Sequence, residues 1–396
     1  MNNADHAAEP RELTADEMFD PERLMRGAEA ETSQSDWGDT DFVDGLEMLC
    51  RALREDHNRS ASAVSIFGAE LTKLLKLRLG LAAARKEHPE IAQQRVVAPL
   101  IVLGLPRSGT TILHSILSAD PTVRSPHKWE LDDPFPPPRT ETFLTDPRIA
   151  VAEAAVAQLS PTFRAMHQVG AQLPLECNTI QRGSFRTCDF AALIGIPSYH
   201  HWLINEAEMA PSYAFHTQFL QHLQAFANKD HWVLKGPTHM YWPEQLLKAY
   251  PDARIVMTHR DPVQIMASSL SLITHIREMI EPANIAEITH EQGTWSEAVR
   301  RMLAFRDGWH DPHQFCDVQY KDFMADPLGV VRGIYAHFNM DLSSDAETAM
   351  RTFIADNAQE KHGKHQYAAA DYGLDTAAVR RDFASYINRF CLEANR

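Results

Sequence analysis

Two spacings of apolar residues alternate along this chain. Short apolar runs at residues 99–103, 231–235, 253–258 and 316–320 are bounded by glycine, proline or charged residues, a pattern that predicts buried strands. Between them apolar residues recur every three to four positions, as in Ile112, Leu113, Ile116 and Leu117, which predicts amphipathic helices. Strands alternating with helices imply a mostly parallel sheet covered on both faces, an α/β fold. Two regions depart from the alternation. Residues 1–95 read as mainly helical, with Leu46, Leu49, Cys50 and Leu53 on one face, and are expected to pack on a core domain spanning 96–396. Residues 141–230 read as a helical insertion, broken at Gly195-Ile196-Pro197 and large enough to wall a pocket. The leucine-rich stretch 71–79 carries Lys73, Lys76 and Arg78. It is read as a helix lying on the main domain with its lysines snorkelling outward, a peripheral membrane contact being the alternative.

The first strand leads into Gly104-Leu105-Pro106-Arg107-Ser108-Gly109-Thr110-Thr111 and then directly into a helix. Two glycines let such a loop turn tightly and aim successive N–H groups inward. The helix start adds unpaired N–H groups and the positive end of its dipole. Strand, loop and helix together predict a phosphate cradle and a P-loop-type three-layer fold. The loop departs from a Walker A sequence, because Thr110 stands where the phosphate-binding lysine belongs and the cation is Arg107. Ligands of such sheets collect at the carboxyl ends of the strands. Arg107, Lys235, Arg260 and Tyr320 all fall at or just past such ends.

Composition narrows the function. The chain has 396 residues and a net charge of −15, which argues against a general nucleic-acid binder. Five cysteines without a CxxC pair do not form a disulfide framework, and the first residues lack the apolar core of a secretion signal. No apolar run approaches a membrane span. A reduced, cytoplasmic protein is expected.

Pro106-Arg107-Ser108-Gly109-Thr110-Thr111 resembles the phosphosulfate loop of sulfotransferases that use 3′-phosphoadenosine 5′-phosphosulfate (PAPS). Arg260-Asp261-Pro262, with Ser268 in the next helix, resembles their 3′-phosphate element. Trp232-Val233-Leu234-Lys235-Gly236-Pro237 and Tyr320-Lys321-Asp322-Phe323 are similar to the bacterial branch related to tyrosylprotein sulfotransferases. The likeness spans about residues 36 to 390. It implies PAPS as sulfuryl donor, no metal, and a small-molecule or lipid acceptor that offers a hydroxyl or, as the less favoured alternative, an amine. By the same resemblance Arg107 and Lys235 act on the 5′-phosphosulfate. Ser108, Gly109, Thr110 and Thr111 supply backbone and hydroxyl donors. Arg260 and Ser268 hold the 3′-phosphate, with Tyr320 and Lys364 near the nucleotide.

The proton acceptor is left between two residues. The tyrosylprotein branch places a glutamate where this chain has Lys128, so Glu130 or His127 is expected to serve. Glu176, His200, His201 and Trp202 are candidates to line the acceptor pocket in or near the insertion, with packing or surface exposure the preferred reading. Phe185, Phe190, Tyr199, Tyr213 and Phe215 there suggest an apolar or aromatic acceptor. A P-loop kinase or NTPase, and a non-catalytic nucleotide-binding module, are the competing readings.

Overall fold

A computed structural model describes residues 13–55, 59–166, 168–280, 282–285, 288–289, 293–357 and 372–392. Strands β1 (Leu100–Gly104), β2 (Val123–Arg124), β3 (His231–Lys235), β4 (Arg254–His259) and β5 (Phe315–Gln319) form one parallel sheet in the order β2-β3-β1-β4-β5. Four of them match the predicted runs to within a residue. The two-residue edge strand β2 is too short to leave an apolar pattern. The helices that bear on the site are α1 (Pro21–Thr32), α2 (Val43–Glu55), α3 (Ala61–Glu87), α4 (Thr110–Leu117), α5 (Lys128–Asp132), α6 (Cys177–Gln181), α7 (Ala210–Gln224), α8 (Pro262–Glu278), α9 (Tyr320–Ala325) and α10 (Ala384–Phe390).

β1 runs down the middle. Val102 stands opposite Lys235 on one side and Val256 on the other, and Gly104 stands opposite Thr258. The register therefore ends β1, β3 and β4 at one level and lines up Lys235, the glycine loop and Arg260. Because strand side chains alternate in direction, Leu100 and Val102 enter one layer with Leu113, Ile116 and Leu117 of α4. Ile101 and Leu103 enter the opposite layer, where α1–α3, the insertion and the second sheet face share one apolar cluster.

That shared cluster corrects one expectation. Phe185, Phe190, Tyr199, Tyr213 and Phe215 are buried within it, so they are core rather than acceptor surface. Arg78 does not follow Lys73 and Lys76 outward. It is buried, donates to Asp39 Oδ1 at 2.8 Å and the Gly183 carbonyl at 3.0 Å, and covers the Phe42 ring at 4.0 Å. A buried guanidinium needs such partners to offset its lost hydration. Among the described residues no helix is long and apolar enough to cross a membrane.

Candidate active site

The loop after β1 is closed by its own serine. Ser108 donates its N–H to the Leu105 carbonyl at 3.2 Å, and its hydroxyl donates to the same oxygen at 2.6 Å. Thr258 Oγ1 lies 2.7 Å from that hydroxyl. The Ser108 side chain thus holds the loop against β4 and is not a free donor, contrary to expectation. Gly109 follows with φ of 91°, and a Cβ there would stand 3.0 Å from the Tyr320 ring. Both the left-handed backbone and the close ring require glycine. Gly109 cannot cap α4 through a side chain, and α4 has no side-chain cap. The first intrahelical bond runs from Leu113 N–H to the Gly109 carbonyl, leaving the earlier N–H groups of the helix start without intrahelical partners. Such a terminus favours an anion.

Three cations surround this helix start. Arg107 has a φ of 67°, an uncommon conformation for a residue with a side chain. Its Nε donates to Ser268 Oγ of α8 at 3.0 Å. Arg260 reaches back across the loop and donates to the Arg107 carbonyl at 2.8 Å and to Gln264 Oε1 at 3.1 Å. The Arg260 guanidinium lies over the Tyr320 ring at 4.2 Å, and its Nε is a buried donor with no partner among the described residues. Asp261 caps α8 by accepting from Val263 N–H, with Pro262 in the first turn, as the sequence predicts. The cap sets the direction of α8 and so places Ser268 beside Arg107.

Lys235, at the end of β3, is almost fully buried. Its Nζ donates to Thr111 Oγ1 at 3.2 Å and forms an ion pair with Glu176 Oε1. His114 lies one turn along α4 with Nε2 3.1 Å from the Val233 carbonyl, and burial pushes its imidazole down to about 3. It stays neutral beneath the lysine. The structure therefore gathers Arg107, Gly109, Thr110, Thr111, Lys235, Arg260, Ser268 and Tyr320 into one site. An anionic nucleotide fits this set: one buried and two half-buried cations, an uncapped helix start and a buried donor at Arg260 Nε without a partner among the described residues.

A model of the sulfotransferase family matches residues 99–344. The sulfotransferase STF1 of Mycobacterium tuberculosis H37Rv superposes with a TM-score of 0.80 at 33% identity, over 92% of this chain and 98% of its own. STF9 of Mycobacterium avium superposes with a TM-score of 0.86 at 29% identity, over 94% and 97%. The omega-hydroxy-beta-dihydromenaquinone-9 sulfotransferase Stf3 of Mycobacterium bovis is 24% identical over 290 residues, 68% of this chain and 69% of that protein.

The chain belongs to the sulfotransferase family. It is a sulfotransferase, an enzyme that transfers a sulfuryl group, and the family implies PAPS as the donor. The kinase and non-catalytic readings fall with that membership.

Neither proton acceptor expected for this sulfotransferase pairs with its gathered cations among the described residues. Glu130 is fully buried in α5 and takes Arg124 on both oxygens, at 2.9 and 2.6 Å, while its Oε2 also accepts from His127 N–H at 3.1 Å. Arg124 in turn donates to the carbonyls of Leu223 in α7 and Ala227. Glu130 is a buried structural partner, not the solvated loop residue that its position suggests. His127 packs against Phe143, and burial pushes its imidazole down to about 4. Lys128 turns to Asp132 at 2.7 Å. His200 Nε2 lies 3.3 Å from Thr294 Oγ1, and His201 is exposed. Lys364 lies outside the described residues. Sequence reasoning weighed Glu176 for the acceptor pocket but preferred packing or surface exposure, and did not pair it with Lys235. It stands 59 positions before Lys235, and no local pattern in the insertion ties the two together.

Proposed function

We propose that Arg107, Lys235, Thr111 and the start of α4 hold the 5′-phosphosulfate of PAPS, and that Arg260 and Ser268 hold its 3′-phosphate beside Tyr320. The observation that carries this reading is the meeting of three cations from three separate segments at one uncapped helix start. PAPS supplies the sulfuryl group and a nucleotide leaving group. Charge developing on the leaving oxygen needs fixed donors aimed at it in a water-poor site. Lys235, held at Thr111, and Arg107, held at Ser268, are such donors. Three side-chain cations do the work that a divalent ion performs in many phosphoryl transferases, so we expect full turnover in EDTA.

The acceptor class follows from a relative. Stf3 is named for a hydroxylated menaquinone, and we extend that to an apolar, hydroxyl-bearing lipid or small molecule here. A reducing, cytoplasmic setting agrees with five free cysteines, three of them buried.

Calorimetric titration with adenosine 3′,5′-bisphosphate, AMP and ATP–Mg2+ tests the site. Binding of the bisphosphate without metal, lost on Arg260→Ala, is expected. Preference for ATP–Mg2+ with no response to the bisphosphate overturns it.

A further inference from the structure

With Glu130 held by Arg124 and His127 packed against Phe143, neither expected proton acceptor pairs with the gathered cations among the described residues. A different carboxylate does. Residues 126–129 are zipped to residues 171–175 by backbone bonds: Leu175 N–H to the Pro126 carbonyl at 2.9 Å, and Lys128 and Trp129 N–H to the Leu173 and Ala171 carbonyls at 3.1 Å each. The zipped segment ends at Pro174 and Leu175, and Glu176 follows at the start of α6. Its carboxylate meets Lys235, which meets Thr111 of α4. The pair is asymmetric. Lys235 is 3% exposed and faces inward to the loop, whereas Glu176 is 28% exposed and open to an incoming molecule.

We propose that Glu176 is the proton acceptor of sulfuryl transfer. This rests on the donor-site reading given above. The acceptor oxygen bonds to sulfur while the bond between sulfur and the bridging phosphate oxygen breaks. The electron pair of the broken bond stays on that oxygen, which Lys235 faces. The acceptor hydroxyl proton passes to the Glu176 carboxylate and leaves to solvent after the products depart. The products are a sulfate monoester and adenosine 3′,5′-bisphosphate, so atoms and charge balance. The resting ion pair holds the Glu176 carboxylate beside Lys235, whose Nζ also meets Thr111 of the loop helix.

The test compares wild type, Glu176→Gln and Glu176→Asp. Release of the bisphosphate from PAPS is followed with three acceptors: a long-chain primary alcohol, 4-nitrophenol and water. A general base contributes on the order of 10²-fold or more when the hydroxyl must lose its proton, and little when the acceptor is already largely ionised. Glu176→Gln is therefore expected to lose about 10²-fold with the alcohol and with water, and less than about tenfold with 4-nitrophenol. Calorimetry gives a readout independent of turnover. Glu176→Gln is expected to bind the bisphosphate at least about threefold more tightly, because a like charge near the ligand is removed. Equal losses with all three acceptors would reduce Glu176 to a positioning residue for Lys235, and undiminished turnover would remove it from the mechanism. Failure of the wild type to bind the bisphosphate is a separate outcome, which overturns the donor site and this assignment with it.

Discussion

Arg107 Nε donates to Ser268 Oγ at 3.0 Å, joining residues 161 positions apart and tying the glycine loop to helix α8. The contact links the two motifs that the family resemblance treats as separate phosphate sites. It also orients a charged side chain whose own backbone is in the left-handed region. Ser268→Ala removes both this acceptor and a hydroxyl beside Arg260. A hydrogen bond to a charged group contributes about 1.5–3 kcal/mol, so bisphosphate affinity is expected to fall tenfold or more, by about 1.4 kcal/mol per tenfold. Unchanged affinity in calorimetry would show that Ser268 only positions Arg107.

Gly109 meets two constraints at once, a φ of 91° and the Tyr320 ring at 3.0 Å. Gly109→Ala strains the backbone by about 1–3 kcal/mol and pushes on a ring that supports Arg260. Lower thermal stability and weaker bisphosphate binding are expected together. Adding Tyr320→Ala relieves the contact but not the backbone, so only part of the stability returns. Full recovery in the double variant would place the whole cost in the ring contact.

Glu130 and Arg124 form a buried pair, each oxygen of the carboxylate taken by a guanidinium nitrogen. Breaking such a pair leaves an uncompensated charge and costs about 3–5 kcal/mol. Glu130→Gln is expected to lower the denaturation midpoint markedly while the folded fraction keeps its bisphosphate affinity. A variant of wild-type stability with lost turnover would return Glu130 to the role of proton acceptor.

Histidines held below their ordinary range by burial, His114, His127, His222 and His239 among them, make stability depend on pH. Burial pushes His114 and His239 down to about 3, and His127 and His222 down to about 4. An unfolded histidine takes its proton near about 6.5. Between those values the unfolded chain binds more protons than the folded one, so this stability is full above about pH 6.5 and is lost as pH falls. Each such proton is worth about 1.4 kcal/mol per pH unit. Urea unfolding at about pH 7.5 and about pH 5 is expected to show a steep loss toward acid. His222→Gln, which keeps a donor for the Pro134 carbonyl, should reduce the slope by one proton. A flat profile would mean that these imidazoles protonate in place.

The sequence alone determined the sheet, the glycine loop, the cap of α8 and which cationic residues meet at that loop. These depend on local rules: apolar runs make strands, a glycine pair turns the chain, and Asp261-Pro262 starts a helix. Lys235 and Arg260 were legible because each ends a strand, and parallel strands end on the same side. Tertiary structure alone decided which side chains were already engaged. Ser108 turned to the Leu105 carbonyl, and Glu130 to Arg124, because buried polar groups must find partners wherever the fold supplies them. It also sent the aromatic residues of the insertion into a core shared with α1–α3. Glu176 reached Lys235 only because two loops are zipped by backbone bonds, and such pairing leaves no periodicity to read.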